Sequence, residues 1–578
     1  MQRIRYPKEQ MHRINYTKLT EKQIQDKLVA AVAGPACASP LSGVFAGKPL
    51  KIVTDDGLVL NYRFSGANKL SVAEGSAAPI TTGYGALMLR EIALFSHMVP
   101  GTQKGYNILV DLSTNLATVF EIWFSGYTDK REVQRLIHYG YVEVAGKEPP
   151  KERQGITNRL EGKGFYWKQD NGIETLEFYP SVLYSNFVEL TRLGGELSFC
   201  GPSDYVRIDD ELYVYSRVEC EFSGIMTLYA LDLNTVQQIG MRLGFDEKDA
   251  LEYYMFTGNG ETLGQIALFE RFDDHGRKID LGNRPPPTRK GERPVYRPLL
   301  ANPPMTKDEV EAAVAKSTAT FPPRAMAGNS LPASDYLVGK EFTLRYDDGG
   351  PALSYRFDGP HKLQWRRESE TQWHEENYEA WEPAPEVVFF GHLLSGAPRH
   401  DCMAIALDFD NGLTTCVHGT LGTPYMANEA SRKTWFGVIE MKDLTPPKYL
   451  RHRFTDELVG QALTWNYSPG LTSMHVYSTP YSYSWIIFLG SDAGGLEWSG
   501  PAQYVKLRDN LYLFNWLEEA CNGTLGVLVI NTRTMHDCGI DYHVGKQGLT
   551  LGGIGARARH AGRFDLLKFY GPKAPKSA

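Results

Sequence analysis

Residues 509–519 read DNLYLFNWLEE, and the fold turns on how this stretch is understood. A strand repeats every two residues, which puts Tyr512, Phe514, Trp516 and Glu518 on one face and Leu511, Leu513, Asn515 and Leu517 on the other. Both faces are largely apolar. The strand is therefore expected to be covered on both sides, with a carboxylate closing its aromatic row.

The same sentence occurs earlier in the chain: YVKLRDNLYLFNWLE at 504–518 matches YVRIDDELYVYSRVE at 205–219. Each copy lies downstream of a glycine, an alternating strand, a turn and a second alternating strand: LEGKGFYWKQDNGIETLEF at 160–178 and LVGQALTWNYSPGLTSMHVY at 458–477. Two further stretches have this hairpin pattern, FAGKPLKIVTDDGLVLNYRF at 45–64 and LVGKEFTLRYDDGGPALSYRF at 337–357. These two are followed by EIALFSH at 91–97 and EVVFFGH at 386–392, so the chain reads as a duplicated pair, A–B then A′–B′. Each pair opens on a helix with a capping box, Thr20 with Gln23 and Thr306 with Glu309, and a proline-rich linker at 284–305 separates the pairs. The expected division is an arm and helix at 1–40, A at 41–152, B at 153–280, linker and helix at 281–332, A′ at 333–450 and B′ at 451–578. Units of this size and pattern fit a small antiparallel barrel or a sandwich.

Composition narrows the partners. At 578 residues the chain exceeds a single core, and 32 Tyr, 26 Phe and 10 Trp point to aromatic-lined interiors. With 61 basic and 68 acidic residues, a net charge of -7 and no basic block, no nucleic acid is expected as a partner. There is no apolar run to span a membrane and no secretory pattern, so no membrane association and a cytoplasmic location are expected. Seven scattered cysteines read as reduced thiols, and no histidine spacing suits a metal. TGNGETLG at 257–264 reads as a hairpin rather than a dinucleotide loop, and DFDNG at 408–412 lacks calcium-loop spacing. Oligomeric state is left open.

The stretches LVGKEFTLRYDDGG, WRRESETQW and DNLYLFNWLEE resemble the molybdenum cofactor biosynthesis protein F family, whose members pair two lipocalin-like (calycin) barrels. The resemblance implies an all-β protein of four lipocalin-like antiparallel barrels in two tandem pairs, with short helices before each pair. The hairpin and LYxFxWxE pattern of B′ is also similar to phenolic acid decarboxylases, cofactor-free enzymes with two substrate-holding tyrosines, an arginine and a proton-transferring glutamate. Carried over, the glutamate falls on Glu518 and, in B, on Glu219; Tyr467 and Trp465 stand at the tyrosine positions of B′, Trp167 and Gln169 at those of B. The arginine is not found where expected, which argues against plain decarboxylation.

On a barrel strand the row ending in Glu518 faces the cavity, where desolvation is expected to raise a carboxyl pKa. Two residues earlier in that row, the inward position of Trp516 is Arg217 in B, His392 in A′ and His97 in A. The candidate catalytic residues are therefore Glu518, Glu219, His392 and His97, and the candidate substrate-binding residues are Tyr467, Trp465, Trp516, Arg217, Tyr346 and Tyr378. Each has a plainer reading: a carboxylate reaching the barrel rim to pair with a surface base for Glu518, hydrogen-bonded core histidines, a rim ion pair for Arg217, and ring packing for the aromatics. The expected function is cofactor-free acid–base chemistry on a phenolic or hydroxycinnamoyl-type small molecule, an isomerisation, cyclisation or lysis. The alternatives are an accessory protein of molybdenum cofactor synthesis and a non-catalytic carrier.

Overall fold

In the computed structural model each of the four hairpins forms where alternation and turn chemistry place it: Pro49–Thr54 with Val59–Phe64, Lys163–Gln169 with Glu174–Phe178, Glu341–Tyr346 with Ala352–Gly359, and Gln461–Ser468 with Leu471–Val476. In the first, Gly57 takes φ +93°, a conformation that side chains resist, and so closes the Asp-Asp-Gly turn. The structure describes residues 19–36, 41–125, 131–181, 183–192, 194–219, 224–246, 248–268, 271–272, 277–279, 305–317, 325–395, 400–423, 426–489, 497–518 and 523–570. Most of the proline-rich linker, Glu519, Cys37, Cys220 and Cys521 lie outside the described residues.

From each hairpin the chain continues up and down into an eight-stranded antiparallel barrel. A′ closes from Glu341–Tyr346 round to Ala430–Glu440, paired as Thr343↔Glu440. B closes through Leu251–Gln265, which pairs with Gln237–Phe245 along one half and with Lys163–Gln169 along the other. B′ closes through Ser482–Leu489 on Glu497–Arg508, and A is nearly closed, its fourth strand being divided at Tyr84 into Ile80–Gly83 and Gly85–Leu89. The protein is thus nearly all-β, with three short α-helices among the described residues. No helix among them is long and apolar enough to cross a membrane.

Helices Glu21–Leu28 and Lys307–Ala315 carry the expected capping boxes, and each seals the joint between two barrels. Ile24 and Leu28 pack at A–B, and Val310, Ala313 and Val314 at A′–B′. The strand Leu511–Glu518 explains why both faces of DNLYLFNWLEE are apolar. Tyr512, Phe514 and Trp516 line the inside of B′, whereas Leu511, Leu513 and Leu517 join Phe389, Leu393 and Cys402 of A′ in a separate core. Each buried leucine contributes roughly 1.5–3 kcal/mol, so the outer face helps fasten the two barrels together. The equivalent strands of the two halves meet at the centre: Ser198–Arg207 of B lies against Glu497–Arg508 of B′, with Ser198 N–H donating to Ser482 Oγ at 2.7 Å and Ser499 Oγ to Asn186 Oδ1 at 3.2 Å. The order in space is A–B–B′–A′.

Two details differ from expectation. TGNGETLG is not a hairpin: it lies inside the single 15-residue strand Leu251–Gln265. Its glycines admit close neighbours rather than a turn, since a Cβ on Gly260 would stand 2.5 Å from the Trp167 ring and from the Tyr166 carbonyl. The short strand Arg271–Phe272, placed with B on sequence, pairs with Leu489 on the edge of B′.

Candidate active site

Inside B′ the aromatic row surrounds a histidine. His475, on the second hairpin strand, has its ring centroid 5.2 Å from Tyr483, 6.0 Å from Trp465 and Phe514, and 6.4 Å from Trp516. Burial pushes its pKa down to about 3, so the ring is neutral, and its Nδ1 has no hydrogen-bond partner. The Tyr477 hydroxyl and Trp465 indole N–H lie near each other, but neither makes a hydrogen bond of good geometry. On the strand His536–Gly545, Asp537 is wholly buried; its Oδ1 accepts from Ala556 N–H at 2.6 Å and its Oδ2 has no partner. Buried polar atoms are nearly always satisfied, so four such atoms in one barrel mark a place for bound water or a ligand. Glu518 ends the row half-buried, accepting from Trp516 Nε1 at 3.1 Å.

B fills the corresponding space with charge. Matched hairpin and ladder registers set Glu177 against His475, Arg217 against Trp516, Gln238 against Asp537 and Glu219 against Glu518. Arg217 lies 3.0 Å from Glu177, stacks 3.7 Å over the Phe187 ring and donates to the Tyr229 hydroxyl at 2.7 Å, while Tyr215 donates to Glu177. The chain of charges continues through Glu219 to Arg242 at 2.7 Å, Arg242 to Glu252 at 2.6 Å and Glu252 to Arg192 at 3.3 Å. The raised carboxyl pKa expected of this position does not hold for Glu219. Burial pushes it up, but Arg242, with Arg217 and Arg192, more than offsets that and the net shift is downward. B also keeps unpartnered atoms, at Trp167 Nε1, the Tyr179 hydroxyl and the Gln238 amide.

In A and A′ the histidines make one arrangement twice. His97 Nδ1 donates to the Met98 carbonyl at 3.3 Å and His392 Nδ1 to that of Leu393 at 2.9 Å. A carbonyl only accepts, which fixes the tautomer and leaves Nε2 to accept from Tyr62 at 3.0 Å and from Tyr355 at 3.2 Å. Burial holds both at about pKa 4. Both ring nitrogens are occupied, and aromatic rings pack against each histidine, Tyr62 and Tyr106 at His97 and Tyr355, Trp365 and Phe390 at His392.

The ten sequence candidates therefore do not converge on one site. Glu518, Tyr467, Trp465 and Trp516 meet in B′; Glu219 and Arg217 lie in B, Arg217 as an interior ion pair rather than a rim one; His392, Tyr346 and Tyr378 lie in A′; and His97 lies in A. Tyr378 donates to the Gly359 carbonyl at 2.9 Å, and Tyr346 stands 3.5 Å from Thr414 Oγ1. His475, Tyr477 and Asp537 were not singled out from the sequence as site residues. Alternation through Ser473, His475 and Tyr477 does place the first two on the inward face of Trp465, whereas nothing local distinguishes Asp537.

Comparison with known proteins picks out the second half of the chain. Residues 323–423 match the MoaF N-terminal domain and residues 452–558 the MoaF C-terminal domain. Protein MoaF of Klebsiella aerogenes is 34% identical over 101 residues, a match covering 18% of this chain and 37% of that protein.

Proposed function

Because the chain is a MoaF family protein, with both domains of that family in its second half, we propose that B′ is the working barrel. In this reading it binds a small planar aromatic molecule of the phenolic or hydroxycinnamoyl kind, and side chains move a proton on it without a cofactor. The supporting observation is the set of unpartnered atoms inside an aromatic barrel: His475 Nδ1, Tyr477 hydroxyl, Trp465 Nε1 and Asp537 Oδ2. Glu518, at the end of the aromatic row, is the proposed proton carrier. One reaction that balances is closure of a phenol onto an enone. The phenolic proton passes to the Glu518 carboxylate, the phenolate oxygen bonds to the β-carbon, the enone electrons move to the carbonyl oxygen, and Glu518 returns the proton to the α-carbon.

An accessory protein that holds a phosphorylated pterin needs inward cations free to meet phosphate. Arg217 and Arg242 are each matched to carboxylates, which counts against that role for B. A pure carrier would bind the same ligands without turnover. The test is a panel of 4-hydroxycinnamoyl and 2′-hydroxychalcone-type compounds, followed by tryptophan quenching for binding and absorbance for conversion. Saturable binding is expected, with turnover reduced about 100-fold in Glu518→Gln. Binding without conversion would leave a carrier, and a panel that does not bind would remove the reading altogether.

A further inference from the structure

Within that reading, we infer that Asp537 serves B′ as a hydrogen-bond donor, its Oδ2 carrying a proton toward the pocket and holding an oxygen acceptor of the ligand, a carbonyl or a developing enolate. The wall of B′ is broken where that of B is not. In B the closing strand Leu251–Gln265 is continuous, and its Gly258 lies against Gln238. In B′ the corresponding segment is divided into Gly548–Ile554 and Arg557–Arg563. At the break, Ala556 N–H turns to Asp537 Oδ1, and the Asp537 N–H donates to the Ala556 carbonyl at 3.1 Å. One carboxyl oxygen is thereby fixed to the backbone. The other is aimed at the interior, since Cys538 and Ile540, one and three residues on, face the A′ joint.

Among the described residues no cation acts on this carboxyl. The groups that sense it are the hydroxyls of Tyr467 and Tyr477 and the thiol of Cys538, all of whose pKa values are raised by burial. A carboxylate here would be a buried charge without a counter-charge, the most costly state available to it. Burial accordingly pushes Asp537 up to about 8, so that the group is an acid at neutral pH. A buried acid is a strong donor to oxygen, and with the Tyr477 hydroxyl and Trp465 N–H it makes the pocket rich in donors. The ligand that answers such a pocket is uncharged, planar and equipped with an oxygen acceptor.

The test compares 4-hydroxybenzaldehyde, which offers a carbonyl, with 4-methylphenol, which does not, binding being read by tryptophan quenching of the full chain. Asp537→Asn retains an acceptor for Ala556 N–H and a donor in place of Oδ2, so its affinity for the aldehyde is expected to stay within about threefold of wild type. Asp537→Ala is expected to weaken the aldehyde about tenfold while leaving 4-methylphenol unchanged. The bound carbonyl stretch, displaced to lower frequency in wild type and Asp537→Asn, should return toward its free value in Asp537→Ala. Loss of affinity in Asp537→Asn equal to that in Asp537→Ala would show an ionised acceptor and overturn the inference, as would equal affinities throughout. If wild type binds, and Trp465→Phe weakens binding but neither Asp537 variant does, only the role of Asp537 fails. If wild type binds neither probe, the pocket reading fails with it. Should Asp537→Ala not fold, the Asp537→Asn affinity and carbonyl stretch decide alone.

Discussion

Barrels B and B′ are built on one strand plan and filled in opposite ways. In B, Glu177, Arg217, Glu219, Arg242 and Glu252 alternate in sign across the interior at 2.6–3.6 Å. In B′ the first two positions are His475 and Trp516, no ion-pair chain forms among the described residues, and the buried Asp537 stands where B has Gln238. A buried charge is tolerable only beside its counter-charge. The members of such a chain therefore come and go as a set, and a barrel that lacks the set has an interior of rings and uncharged polar groups.

The largest expected effect breaks B on its own terms. Arg217→Leu leaves Glu177 buried without its cation and should cost about 3–5 kcal/mol, read as loss of amide protection in the strands of B. Introducing the B′ pair, Glu177→His with Arg217→Trp, removes both charges and should recover more than half of that loss. A single substitution costing under about 1 kcal/mol would show that ion pairing is not what closes B.

A second experiment separates the barrels by pH. Asp537, at about 8 when folded against 3.8 ordinarily, contributes stability that is full below pH 3.8 and is lost as pH rises through 8. His475, at about 3 against 6.5, contributes stability that is full above pH 6.5 and is lost as pH falls toward 3. Between pH 3.8 and 6.5 the two slopes oppose each other; from 6.5 to 8 only that of Asp537 remains. B′ should therefore lose about 2 kcal/mol of local stability over that upper interval, measured by hydrogen exchange corrected for intrinsic rates. Asp537→Asn should abolish the decline. In B, where Gln238 holds the equivalent position, no such decline is expected from this site.

The smallest effect tests how far the duplication extends beyond the barrels. Thr20→Ala and Thr306→Ala each remove a capping box from a helix that seals a joint, and each should cost about 1 kcal/mol. Thermal melts that shift equally would confirm matched roles. A shift confined to one variant would mean that only that helix depends on its cap.

Much of this architecture was legible in the residues themselves. Alternation and Asp/Asn-Gly turns marked the four hairpins, threonine caps marked both main helices, and the two apolar faces of DNLYLFNWLEE became the pocket wall and the seam to A′. These signals are local: strand period, turn conformation and capping are settled within a few residues. The reading of TGNGETLG failed because its glycines answer to Trp167 and Gln238, roughly 90 and 20 positions away, and not to a turn of their own.

The sequence by itself determined which side chains face inward. Only the tertiary structure decided what each one meets there. Arg217 is neutralised by Glu177 because barrel closure brings their strands face to face, and Asp537 meets no cation among the described residues, Trp516 standing in B′ where B has Arg217. Alternation assigns a face to a residue, but the charge state and availability of a buried group depend on atoms across the barrel, at distances that no local pattern encodes.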